Sequence, residues 1–106
     1  MVDGSARRSA ALEWAGAARK RRLAVRQDLS RGLVTLPEVL AEAAADPLLA
    51  AVRLQWVLES LPGARKTDTR RALGAHRLDG DLAIGRLDDA ERATVLAVFW
   101  PAGSAS

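Results

Sequence analysis

Apolar residues recur along the first third of the chain at intervals of three, four, seven and four, through Ala11, Trp14, Ala18, Val25 and Leu29. That rhythm lays one apolar stripe on a helix of 3.6 residues per turn. It predicts a long helix that begins near Ser5 or Ser9 and runs to Arg31, where Gly32 offers a left-handed stop. Thr35-Leu36-Pro37-Glu38 is a capping box with proline in the first turn and predicts a second helix over about 36–45. Asp46-Pro47 opens a third over about 47–60, with Leu48, Val52, Leu54, Val57, Leu58 and Leu61 available for burial, and Leu61-Pro62-Gly63 ends it. A fourth helix is predicted over about 66–75. A second capping box, Asp88-Asp89-Ala90-Glu91, opens a fifth over about 89–99, with Ala93, Leu96, Ala97 and Phe99 to pack inward. Residues 76–87 read as a plain connection. With one Ile, four Thr, one Phe and no Tyr, strands are not expected. The chain therefore reads as all-α. A mobile N-terminus over 1–8 leads into a single helical domain over 9–100, made of the long helix (about 9–31) and a helical body (about 35–100), and a disordered tail follows over 101–106.

Composition narrows what such a domain could do. A chain of 106 residues has room for one small core, and 49% hydrophobic against 27% charged residues is the balance of a chain that folds. The absence of cysteine removes disulfides and thiolate metal sites, and a lone His76 cannot supply a zinc constellation that needs two imidazoles. No cofactor and no small-molecule substrate are expected. The N-terminus has no apolar signal region and no uncharged apolar run long enough to span a bilayer, so the reading is cytosolic with no membrane partner.

The net charge of +3 is unevenly spread: residues 1–31 hold eight basic and three acidic groups, whereas residues 32–60 hold one basic and four acidic. On the predicted first helix Arg8, Arg19, Arg22 and Arg26 fall within about 80° of one another, a basic ridge beside the apolar stripe.

Catalytic signatures are absent: there is no nucleophile elbow, no phosphate-binding Walker loop and no metalloprotease motif. His76 reads as a loop or helix-end residue. Asp79-Gly80-Asp81 fails as a calcium loop, because Ile84 stands where the turn glycine belongs and Ala90 where the bidentate Glu belongs. Trp14, Trp56 and Trp100 lie at apolar positions on different elements and read as partly buried rather than as base-stacking platforms. Two features point to an anionic partner. Arg19-Lys20-Arg21-Arg22 with Arg26 gathers five mutually repelling cations on one helix, which a solvated face tolerates and a polyanion would compensate. Leu61-Pro62-Gly63-Ala64-Arg65-Lys66 is a tight turn whose glycine allows an unusual dihedral and whose following amides stand beside two cations, an arrangement able to hold phosphate.

Together these residues resemble the actinobacterial integration host factor family of small basic nucleoid-associated proteins. The resemblance runs from about Ala11 to Phe99 and is most specific at Leu58-Glu59-Ser60-Leu61-Pro62-Gly63 with Lys66. It is supported by Ala11-Leu12-Glu13, by Ala17-Ala18-Arg19 with Arg22, Val25 and Leu29, and by Leu36, Glu38 and Val39. It implies a long N-terminal helix on a compact body containing a helix-two-turns-helix motif. It also implies non-enzymatic, largely sequence-tolerant binding to duplex DNA with bending or compaction, by a monomer in the cytoplasmic nucleoid. The residues so implicated are Arg19, Arg22 and Arg26 from the first helix and Gly63 and Lys66 from the first turn, with Arg65 and Arg86 as further candidates.

The chain departs from the family pattern in two places. Arg65 replaces the second glycine of Leu-Pro-Gly-x-Gly-Lys, and the family's Arg-rich stretch before the last helix is here Leu82, Ala83, Ile84, Gly85, Arg86, Leu87 and Asp88. The alternative reading is a diverged paralogue with weakened DNA binding that works through a protein partner by its acidic 32–60 segment.

Overall fold

The computed structural model describes residues 4–101, and among them every regular element is helical. The elements are α1 (Gly4–Ser30), α2 (Leu36–Glu42), α3 (Pro47–Ala50), α4 (Leu54–Glu59), α5 (Lys66–Ala75), a single 3-10 turn (Ile84–Arg86) and α6 (Asp89–Phe99). None of these helices is long and apolar enough to cross a membrane. Helix α1 starts at Gly4, one residue before the earlier of the two expected starts, Ser5 and Ser9. The expectations for residues 1–3 and 102–106 lie outside the described residues.

The predicted caps form. Thr35 and Glu38 complete the box at α2, Asp88 and Glu91 the box at α6, and the Asp46 carboxylate accepts from the amides of Leu48 and Leu49 at 3.0 and 3.1 Å to start α3. At the end of α1 Gly32 has φ +71°, the Leu33 N–H donates to the Asp28 carbonyl and the Gly32 N–H to that of Leu29, which together make a Schellman stop. The end of α5 has the same pair of bonds, from Leu78 to Leu73 and from Arg77 to Gly74, but Arg77 occupies the left-handed position at φ 56°. Helix α2 is shorter than predicted and gives way to turns over 43–45.

The predicted third helix is two. Between α3 and α4 the chain opens into an extended step, with an antiparallel bridge from Arg53 to Ala83. The amides of Leu54 and Gln55, which a continuous helix would bond internally, donate instead to the carbonyls of Leu82 and Gly80 at 2.9 and 2.8 Å, and the Ile84 N–H donates to the Val52 carbonyl at 2.9 Å. The 76–87 segment is thus no loose connection: Ile84 and Leu87 are buried and Leu82 is half-buried against the core. Gly85 allows this approach, since a Cβ there would stand 2.6 Å from the Ala50 Cβ and 3.1 Å from its backbone.

Helix α1 packs on α3 and α4, α4 on α5, and α2 on α6. Val25, Leu29, Leu36, Leu49, Leu54, Leu58, Ile84 and Val95 are among the side chains that fill the core. The expected stripe on α1 is buried only from its middle onward: Val25 and Leu29 are inside, Ala18 is half-buried, but Ala11 is exposed and Trp14 keeps 53% of its surface. The first turns of α1 extend past the body, and the molecule measures 57 × 28 × 26 Å. Trp14 is therefore corrected from partly buried to exposed, whereas Trp56 and Trp100 are half-buried as expected.

Two substitutions test this account in opposite directions. Gly85→Ala should lower the stability measured by thermal melting by about 1–3 kcal/mol, because Ala50 must move. Arg77→Gly should raise it by up to about 1 kcal/mol by relieving the left-handed backbone of a residue with a Cβ.

Candidate nucleic-acid interface

On α1 the rotation that buries Val25 and Leu29 turns Arg19, Arg22 and Arg26 to solvent. Arg21 points the other way: its Nε donates to Asp46 Oδ2 at 2.8 Å and its guanidinium lies 3.3 Å from Glu42 Oε1. One of the five clustered cations therefore has its counter-charge within the chain. Arg22 and Arg26 lie over the Trp56 indole, with guanidinium carbons 5.2 and 4.7 Å from the ring centroid. Arg53 lines the same cleft as Arg22 and Trp56. Trp56 and Arg53 were missed as site residues, because what brings them under α1 is the break between α3 and α4.

The first turn is built by Gly63 in the left-handed region at φ +74°, with the Ala64 N–H closing on the Leu61 carbonyl at 3.0 Å. Arg65 is the residue before α5, extended, and its side chain makes no capping bond. The first amides of α5 consequently have no protein acceptor, whereas those of α2, α3 and α6 meet side-chain caps and those of α4 meet the Leu82 and Gly80 carbonyls. Arg65 and Lys66 are exposed beside these amides, and Asp68, also exposed, opposes them. A cleft floored by Leu58, Leu61 and Trp100 lies against this turn.

The second turn is different. Arg86 is exposed, but the cleft it lines also holds Asp79 and Asp81. The α6 start is closed by the Asp88–Glu91 box, and Leu82 is packed. Arginine at 82 would remove core packing and glycine at 88 a helix cap. The seven predicted residues thus fall in three places: Arg19, Arg22 and Arg26 on α1, Gly63, Arg65 and Lys66 at the first turn, and Arg86 at the 3-10 turn. His76 is the exposed C-cap of α5, and the Asp79 carboxylate accepts from the Asp81 amide at 2.9 Å in a local turn. Among the described residues no group of side chains is arranged to hold a metal ion.

No family model matches the chain. Integration host factor of Mycolicibacterium smegmatis is 32% identical to it over 92 residues, spanning 87% of this chain and 88% of the relative, and integration host factor of Mycobacterium tuberculosis matches with the same figures. The chain belongs to the actinobacterial integration host factor family. A solved structure described as "Structure of sIHF bound to an 8bp palindromic DNA" superposes with a TM-score of 0.76 over 82% of this chain and 98% of that one, at 24% identity, and shares the all-α fold.

In this integration host factor-like chain the acidic 32–60 segment is engaged internally. Glu38 completes the α2 box, Glu42 and Asp46 meet Arg21, and Glu59 accepts from Gln55 at 2.9 Å and lies 4.0 Å from Arg70. The Arg21 hydrogen bond, aided by the Leu49 and Leu48 amides and the guanidinium charge, holds the Asp46 carboxyl below its ordinary value against the opposing effect of burial. A depressed folded-state pKa gives stability that is present above the unfolded value of about 3.9 and is lost as pH falls through the lower, folded value. Asp46→Asn keeps a side-chain cap but loses the charge, so it should melt lower at pH 7 by about 1 kcal/mol or less, and the gap to the wild type should close below about pH 4.

Proposed function

We propose that this protein binds duplex DNA with little sequence preference and bends or compacts it, without catalysis, as a monomer in the cytoplasmic nucleoid. The observation that carries the reading is where the fold leaves charge uncompensated. Arg19, Arg22 and Arg26 face solvent along α1, and Arg65 and Lys66 flank the uncapped start of α5. Phosphates suit both places. A planar guanidinium donates two parallel hydrogen bonds to phosphate oxygens, and open amides at a helix start attract an anion through the helix dipole. Arg86, with Asp79 and Asp81 beside it, adds less, so we expect the second turn to grip more weakly than the first. The reading of a partner-binding paralogue loses its motive, because the four acids of the 32–60 segment are occupied within the chain.

Binding of random duplexes, followed by fluorescence anisotropy across salt concentrations, tests this function. Log affinity should fall linearly with log salt, at about 0.9 per phosphate neutralised. Replacing Arg19, Arg22 and Arg26 together by Ala should retain helicity and lower that slope by up to about three. A salt-insensitive complex, or strong discrimination between random duplexes of equal length, would contradict the proposal. Native helicity with unchanged affinity in the triple variant would return these arginines to a merely solvated face.

A further inference from the structure

We propose that Arg22 and Arg26, lying over the Trp56 indole, and Arg53, which lines the cleft beside that indole together with Arg22, form one site for a backbone phosphate of duplex DNA. In this site Trp56 is the residue that positions the two α1 guanidiniums. The inference rests on the DNA-binding reading and extends it to two residues on the body.

The geometry carries it in three steps. The indole is held from below by the core: Trp56 is half-buried on α4, packed against buried residues, and its Nε1–H approaches the Arg22 carbonyl at 3.4 Å. Arg22 and Arg26 then lie over the ring at 5.2 and 4.7 Å. A guanidinium held over an aromatic ring still has N–H donors to offer an oxyanion, and the contact reduces the freedom a long side chain must give up on binding. Arg53 lines the same cleft with its side chain 72% exposed, and its counter-charge, Asp81, is equally exposed at 3.8 Å, a contact too loose to neutralise it.

Three like charges are therefore collected in one place. A linear polyanion fits better than a small anion, because Arg19 continues the row along α1 and Arg19 to Arg26 spans roughly 10 Å of helix. The apolar part of the cleft, from Ala18 and Leu48, suits a sugar beside the phosphate.

The test separates position from charge. Trp56→Leu removes no charge, so it should weaken duplex binding by roughly three- to tenfold while the salt slope stays at the wild-type value, and Trp56→Phe should recover most of the loss. Arg53→Gln, on an exposed side chain, should lower the slope by about one. Circular dichroism and melting establish that each variant is folded, and the Arg53 variant keeps the test open if Trp56→Leu is not. In a protein with Trp14 and Trp100 replaced by Phe, Trp56 emission should change with duplex and not with inorganic phosphate at matched ionic strength. Wild-type affinity in folded Trp56→Leu, an unchanged slope in Arg53→Gln, or an emission change with inorganic phosphate alone overturns the site. If the wild type binds no duplex, it is the function reading that fails.

Discussion

The Asp46 carboxylate is where the long helix and the helical body are locked in register. One oxygen accepts from the Leu48 and Leu49 amides and so starts α3, and the other receives Arg21 from α1. Most of the energy of docking α1 comes from elsewhere. Burying Val25 and Leu29 contributes about 1.5–3 kcal/mol each, against about 1 kcal/mol or less for a partly exposed ion pair. Apolar burial is non-directional, however, whereas a 2.8 Å hydrogen bond to a fixed carboxylate is not. Arg21 and Asp46 thereby set the rotation of α1, which keeps Arg22 and Arg26 over Trp56 and turns Arg19 to solvent.

Helix starts divide the body in the same way. Where Thr35, Asp46 and Asp88 cap, or where a carbonyl of the 80–82 segment meets the start of α4, the backbone is satisfied and the local dipole is answered within the chain. At α5 no side-chain cap answers it: Arg65 and Lys66 add to the positive end, and only the exposed Asp68 of the first turn opposes it. Among the starts of α2 to α6, that of α5 is the one left open. The second turn follows the opposite course: Ile84 and Leu87 face inward to complete the core with Leu82 packed against it, and the aspartates around Arg86 dilute its charge.

The outer half of α1 follows another logic. Leu12 and Trp14 are exposed, so this part of the helix is held by the intrinsic preference of an alanine-rich segment and by continuity with the docked half. A helix so supported opens more readily than the body, and its arginines can adjust to a partner without disturbing the core.

Much of this was legible in the sequence because the signals are local. Capping boxes at Thr35 and Asp88, the Asp46-Pro47 start, the Gly32 stop and the Leu61-Pro62-Gly63 turn depend on backbone chemistry within a few residues, and each lies where the spacing put it. The ridge of Arg19, Arg22 and Arg26 follows from helical periodicity alone, as does the burial of Val25 and Leu29. What spacing could not contain is which segments of the chain meet. Ala51-Val52-Arg53-Leu54 has no breaker, yet the helix parts there because the Gly80 and Leu82 carbonyls, 25 and 28 residues away, take the amides of Gln55 and Leu54. The apolar period of α1 continues through Trp14 to Ala11, yet burial stops earlier because the first turns of the helix extend past the body. Arg21 and Arg22 are adjacent in sequence and alike in chemistry. Only the tertiary fold sends one to a carboxylate and the other to a tryptophan, since hydrogen bonds, ion pairs and ring contacts depend on where distant parts of the chain come to rest.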